Sequence, residues 1–399
     1  MTPEQTCFLQ LLRDYVHGRP STLPSFDVDW IKVARYAQEQ SLSGIIYVQC
    51  RSFLTEDSAA LDLLHHGFYS AVYAAVNGEA ALNQATDALE RAGIPYLPFK
   101  GEVLRRYYPQ PELRTMGDKD ILIHQEHRKS VDQIMLSLGY EKFIDNHAVW
   151  TYLKPNLMFE IHDVMFYEYL RNTVDYREYF QHIWESAVPE NDKGRYNPDP
   201  NYHFVYLMCH TAKHIINKGI GFRAFLDIFF MAQKEKDLQW GWITGELERL
   251  KLLGFTETCF AFCKRWFDVD LPLPAGELDD NFFAEITAKT FRDGTFGLHN
   301  MQNEAAHSAK EIHRAKQAYW KTALVLTWNK LFPSYEDMQL IPWYSFVDGR
   351  PWLLPLAWVY RWFYVLTHKF KYGKKLLVEP FAKRDLIEKR NQLINTWKL

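Results

Sequence analysis

The sequence predicts an α+β fold in which a small sheet-bearing unit lies between two helical regions. Three observations carry this. Apolar residues recur at three-to-four spacing through 1–93 and again through 169–399. Between them, over 94–168, the pattern becomes strand, helix, strand, helix and then several short runs, the order of an α+β unit. Within that unit an apolar run opens on Asp118-Lys119-Asp120. Strand geometry turns these two carboxylates to one side, about 6.6 Å apart along the backbone.

The bulk properties bound the function. A chain of 399 residues, 47% hydrophobic and 24% charged, has room for two or three domains and a large core. A net charge of -3 gives no overall attraction to nucleic acid or to an anionic membrane, so a polyanion must meet a local basic site. Cys7, Cys50, Cys209, Cys259 and Cys263 are scattered and odd in number. They make a poor disulfide framework and point to a reducing, cytoplasmic setting. The N-terminus lacks the charge-then-apolar pattern of a secretory leader. Pro351–Phe370 is apolar and aromatic, but Arg361 in its middle and Pro355 near its start argue against membrane insertion. A buried helix is expected there, with an interfacial helix beside the basic Lys369–Lys375 run as the alternative.

In chain order, Leu9–Tyr15 and Trp30–Val48 are helical, with Asp27 or Asp29 as cap of the second. The alanine-rich Ala59–Ala92 helix ends at Gly93. Ile94–Lys100 reads as an edge or irregular strand because of Pro95 and Pro98, Gly101–Tyr108 as a helix, Asp118–Ile123 as a strand, and Gln125–Leu138 as a helix closed by Gly139. Glu141–Ile144, Val149–Leu153 and Leu157–Val164 read as strands, the last two joined by Lys154-Pro155-Asn156. Helices then follow at Tyr202–Ile216, Phe222–Gln233, Trp240–Leu253, Phe255–Phe267, Phe282–Thr290 and Ser308–Asn329, with a charged surface helix at Lys383–Lys398.

The chemistry concentrates in few places. Phe159-Glu160-Ile161-His162 puts Glu160 and His162 on one strand face. If this strand neighbours the Asp118 strand, Asp118, Asp120 and Glu160 form a three-carboxylate cluster whose mutual repulsion calls for a cation. Hard oxygen ligands favour Mg²⁺, and two-metal phosphoryl-transfer sites hold their ions about 3.5–4 Å apart.

Leu97–Ile123 together with Phe159–His162 resembles the nucleotidyltransferase fold of the DNA polymerase β superfamily, and within it a large bacterial family of uncharacterised nucleotidyltransferases. That family shows a lysine-glycine turn, a tyrosine-proline stretch, an arginine, an Asp-x-Asp strand and a later strand with glutamate and a histidine two residues on. It also carries a His-x-x-Lys-His helix followed by glycine, arginine and aspartate. Here these are His210, Lys213 and His214, then Gly219 or Gly221, Arg223 and Asp227. The resemblance covers roughly residues 30–235. It implies a small mixed-sheet nucleotidyltransferase core at 94–168, flanked by helical regions 1–93 and 169–399. Asp118, Asp120 and Glu160 are then catalytic residues and ligands of Mg²⁺ or Mn²⁺. Lys100, Gly101, Arg114, His162, Lys213, His214 and Arg223 line the nucleotide site. The partners implied are an NTP and an acceptor that is a small molecule, a protein or RNA.

Two positions depart from the superfamily pattern. Glu102 stands where serine or glycine usually follows the turn glycine, and Lys119 stands where the residue between the aspartates is usually apolar. Lys119 must therefore reach solvent or find a partner. Lys100 is expected to steady a triphosphate or orient Glu102, and Arg114 to neutralise phosphate charge. Arg223 and Asp227, four apart, either pair with each other or tie the helical region to the catalytic unit. His210 and His214 share a helix face; without a third ligand they read as buried, hydrogen-bonded histidines, or as pocket walls. Nucleotide binding without turnover, a transferase acting on RNA, and a metal-dependent hydrolase are the alternative functions.

Overall fold

A computed structural model describes residues 1–55, 58–145, 148–166, 170, 174–217 and 219–295, and further on 328, 332–333, 335, 338, 346–347, 349–368 and 395–399. The expected helix Ser308–Asn329 apart from Trp328, the basic run Lys369–Lys375 and most of the expected helix Lys383–Lys398 lie outside the described residues.

The N-terminal region is helical. Helix α1 (Pro3–Val16) starts from a capping box in which Thr2 and Gln5 exchange side-chain and backbone bonds. Asp29 caps α2 (Trp30–Glu39) by accepting from Lys32 N–H. The single helix expected over Trp30–Val48 is broken instead, because Ser41 adopts φ 55° before α3 (Ser43–Cys50) begins. The long α4 (Ala59–Arg91) ends just before Gly93, whose φ of 65° lets the chain reverse.

A five-stranded mixed sheet follows, in the order β1-β2-β5-β4-β3. Strand β1 (Tyr96–Pro98) is short and sits at the edge, where Pro98 deprives no ladder of a donor. It runs antiparallel to β2 (Lys119–Ile123), which is parallel to β5 (Leu157–His162). Strands β3 (Glu141–Asp145), β4 (Val149–Lys154) and β5 form an antiparallel meander. Between β1 and β2 the chain makes a one-turn helix α5 (Gly101–Leu104) and two short 3₁₀ turns, Arg105–Tyr107 and Pro111–Leu113. Between β2 and β3 lies α6 (Arg128–Ser137).

Period-two alternation sorts the sheet residues to two faces. Ile121, Ile123, Phe159 and Ile161 pack with Ala81, Leu82, Ala85 and Leu89 of α4 and with Val131 and Met135 of α6. Leu97, Phe99 and Leu122 join the larger helical core instead. That core is built from α1–α3 and from helices after the sheet: the short α7 (Tyr176–Phe180) and α8 (Ile183–Ser186), then α9 (Pro200–Asn217), α10 (Phe222–Lys234), α11 (Trp240–Arg249), α12 (Leu253–Phe267) and α13 (Asp280–Asp293). The N- and C-terminal helices share it directly. Phe8 of α1 meets the rings of Phe222 and Phe291, and Arg13 donates to the carbonyl of Trp266. Each fully buried aromatic there contributes on the order of 2–3 kcal/mol.

Gly219 and Gly221 separate α9 from α10, and Gly219 has φ 92°. The five cysteines are buried free thiols. Among the described residues no helix is long and apolar enough to cross a membrane. The expectation of a buried helix within Pro351–Phe370 needs correction. The helix Leu354–His368 does bury Ala357, but Leu356, Val359, Tyr360 and Phe363 are exposed. Their three-to-four spacing leaves one apolar face to solvent.

Candidate active site

The register of β2 against β5 sets the centre of the site. Asp120 lies opposite Glu160 across the parallel ladder, and Leu122 opposite His162. Asp120, Glu160 and His162 thereby project on the face that looks toward α9. Donor atoms from these three lie within 4.8 Å of one another and could hold a metal ion. Asp118, in the turn before β2, is not one of these three but lines the same cleft.

The cleft has a volume of about 450 Å³. Its sheet side carries Lys100, Gly101, Arg114, Asp118, Asp120 and Glu160; its helical side carries His210, Lys213 and His214 of α9 and Arg223 and Asp227 of α10. His162 borders a smaller adjoining cavity that shares Lys100, Glu160 and Lys213. Nine of the ten residues that the sequence nominates thus line the main cleft, and His162 borders the cavity beside it.

The carboxylates carry internal counter-charges. Lys100 Nζ is 2.6 Å from Asp120 Oδ1 and 3.8 Å from Glu160 Oε2. His162 Nε2 donates to the same Asp120 Oδ1 at 2.9 Å and lies 3.5 Å from Glu160 Oε2. Burial works against the charge on Asp120, but Lys100 and His162 outweigh it and hold the carboxyl below its ordinary range. The His162 hydrogen bond likewise lowers Glu160. Asp118 goes the other way, pushed up to about 6 by the Asp120 carboxylate and then by burial. The His162 Nδ1 atom is buried without a hydrogen-bond partner.

Lys100 is also unusual in its backbone. It precedes α5 with φ 50° and ψ -121°, a conformation that costs a non-glycine residue about 1–3 kcal/mol and collects at functional sites. Its N–H donates to His203 Nε2 at 3.3 Å, fixing that ring as the neutral Nδ1-protonated tautomer. Burial, and then the nearby Arg114 charge, pull His203 down to about 3. A Cβ at Gly101 would lie 2.5 Å from Met116 Sδ and 2.7 Å from Arg114 Nη1, so both side-chain ends close in on this turn and would have to shift for a larger residue.

Two expectations change here. Lys100 does not orient Glu102, which turns away beneath the strand and pairs with Lys119. The buried Lys119 Nζ lies 2.5 Å from Glu102 Oε1. Arg223 and Asp227 do not pair with each other. Asp227 takes a two-point bond from Arg114, Nε–Oδ1 3.0 Å and Nη2–Oδ2 2.8 Å, and accepts a 2.8 Å bond from the Tyr108 hydroxyl. Arg223 donates to the carbonyl and hydroxyl of Thr115 at 2.9 and 3.1 Å. Both residues of α10 therefore clamp the 108–115 segment, tying the helical region to the sheet unit. Arg114 keeps Nη1 against the Gly101 turn while Asp227 holds its other edge.

His210 and His214 are half-buried, not fully buried, and their Nε2 atoms lie 2.9 Å apart. Burial, with His214 and Lys100 adding to it, holds His210 well below its ordinary range. His203, Tyr206 and Thr211 complete the α9 wall. They were missed in the sequence, although His203, Tyr206, His210, Lys213 and His214 follow a helical repeat that marks one face.

No curated protein and no solved structure gives a significant match. A model of the family described as uncharacterised nucleotidyltransferases matches residues 27–268. The matched span includes every residue of the cleft apart from Thr295, and the chain belongs to that family.

Proposed function

We propose that the protein is a metal-dependent nucleotidyltransferase that moves a nucleoside monophosphate from an NTP to an acceptor hydroxyl or phosphate. The observation that carries this reading is the pairing of Asp120 and Glu160 across adjacent parallel strands in the wall of a cleft rich in cationic residues. The donors fit a divalent ion: two carboxylates and an imidazole offer ligand atoms within 4.8 Å of one another. Carboxylates suit Mg²⁺ and Mn²⁺ alike. When bound, such an ion would neutralise phosphate charge at the α-phosphorus.

The chain's own residues divide the remaining work. Lys100, Gly101 and Arg114 meet the triphosphate, with Arg114 Nη1 presented beside the Gly101 turn. His162, Lys213, His214 and Arg223 line the rest of the nucleotide site. Asp118 sits at its lip as a further carboxylate ligand. Glu160 is more open than Asp120, with 27% against 3% of its side chain exposed, so it is the carboxylate able to take the acceptor's proton. The acceptor oxygen bonds to the α-phosphorus, the bond to the bridging oxygen breaks, and pyrophosphate leaves. Positioning and charge neutralisation supply most of the rate.

Binding without turnover is the second reading. It is favoured by the fact that Lys100 and His162 already engage Asp120 Oδ1 at 2.6 and 2.9 Å and approach Glu160 Oε2 at 3.8 and 3.5 Å. Incubation of the protein with α-labelled and γ-labelled NTPs, Mg²⁺ or Mn²⁺, and pools of protein, RNA and metabolites separates the readings. Transfer of α-label to one pool, with pyrophosphate released, is expected and identifies the acceptor class. Nucleotide binding with no label transfer would replace the transferase reading by the second one. Phosphate release without any acceptor would make it a hydrolase.

A further inference from the structure

We propose that Lys100 is a built-in cation that guards the carboxylate cluster, so that a divalent metal enters with the nucleotide and not before it. The inference rests on the metal-dependent reading above and adds an order of binding to it.

Lys100 Nζ and His162 Nε2 converge on the same two oxygens, Asp120 Oδ1 and Glu160 Oε2. These oxygens belong to the group able to hold a metal. A small divalent ion binds carboxylate oxygen at about 2.0–2.1 Å. With the ammonium 2.6 Å from Asp120 Oδ1, an ion on that oxygen would lie within about 5 Å of a second positive charge. An ion taking Asp120 Oδ1 as ligand therefore requires Lys100 to leave or to find an anion of its own.

The surroundings provide for that departure. Lys100 lines both the main cleft and the smaller cavity beside it, and 16% of its side chain is exposed. Its backbone is held by the Asp120 carbonyl, which accepts from Phe99 N–H, and by His203, which accepts from Lys100 N–H. The turn is thus anchored while the side chain can swing. A triphosphate in the cleft would take the ammonium as its partner and return both carboxylate oxygens to the metal. Without nucleotide the Lys100 ammonium holds Asp120 Oδ1, and a free metal must displace it to use that oxygen. By linkage, nucleotide and metal then raise each other's affinity by one common factor.

The test is titration of the full-length protein with Mn²⁺, read as loss of the free-ion electron paramagnetic resonance signal, with no nucleotide present. Wild type, Lys100→Met, Lys100→Arg and Asp120→Asn are compared, with circular dichroism checking that each is folded. Lys100→Met keeps the chain length without the charge and is expected to bind Mn²⁺ about tenfold or more tightly than wild type. Lys100→Arg should remain as weak as wild type, and Asp120→Asn weaker still. Lys100→Gln substitutes for Lys100→Met if methionine disturbs the turn. Adding a non-hydrolysable NTP should tighten Mn²⁺ binding in wild type more than in Lys100→Met. Equal affinity in wild type and Lys100→Met, both lost in Asp120→Asn, would overturn the guarding role and leave the metal site standing. No Mn²⁺ binding by any variant, with or without the analogue, would overturn both readings.

Discussion

Lys119 Nζ lies 2.5 Å from Glu102 Oε1, and each side chain is more than nine-tenths buried. These are the two positions at which the sequence departs from the superfamily pattern it resembles, and they depart together. Lys119 points to the opposite face of β2 from Asp120, toward α4, where a Cβ on Gly78 would come within 2.7 Å of its Cε. Glu102 is the second residue of α5, and Arg105 approaches its other oxygen at 3.8 Å. The pair joins the strand that bears the carboxylates to the turn that bears Lys100.

Removing one partner strands the other. Lys119→Met should cost about 2–4 kcal/mol in urea unfolding, because Glu102 is left buried with only the more distant Arg105. Lys119→Met combined with Glu102→Leu should recover most of that loss. A double variant no more stable than Lys119→Met would show that the pair is not what holds the two elements together.

The clamp between α10 and the 108–115 segment makes a second case. Asp227→Ala leaves Arg114 and the Tyr108 hydroxyl buried without their acceptor and should cost about 3–5 kcal/mol. A double-mutant cycle with Arg114→Met should give an interaction energy of about 1–3 kcal/mol. Additive losses would mean that the two-point bond contributes nothing of its own.

His203 ties stability to pH. Its folded value, near 3, lies below the ordinary histidine value, so the unfolded chain binds more protons as pH falls below about 6.5. Stability carried by the neutral ring is therefore present above that pH and lost as pH falls toward 3. His203→Gln, which can still accept from Lys100 N–H, should lose less stability between pH 7 and pH 4, by on the order of 2–3 kcal/mol. Parallel pH curves for the two proteins would contradict this.

Much of this architecture was legible in the chain because local rules and tertiary structure agree. Period-two alternation put Glu160 and His162 on one face, and Gly93, Gly139 and Gly219 marked chain reversals that are seen with positive φ. The family resemblance was visible over the sheet and α9–α10, and the family match extends it through α12. What sequence could not supply was pairing at long range. That Arg114 would meet Asp227, 113 positions away, depends on how α10 packs on α5 and the 3₁₀ turn after it, and that Lys119 would meet Glu102 on how α5 packs against β2. The break at Ser41 was hidden for a related reason, since the apolar spacing runs through it and only the packing of α2 and α3 against α4 requires the turn.

The central claim is that Asp120 and Glu160 together form a nucleotide–metal site. Isothermal titration of NTPs into wild type, Asp120→Asn and Glu160→Gln, each with and without Mg²⁺, tests it most directly. Wild type should bind at least one NTP in a Mg²⁺-dependent manner, and each variant should lose about tenfold or more of that affinity, about 1.4 kcal/mol, while melting as a folded protein. Affinity that is equal in wild type and both variants, or indifferent to Mg²⁺, would contradict the account.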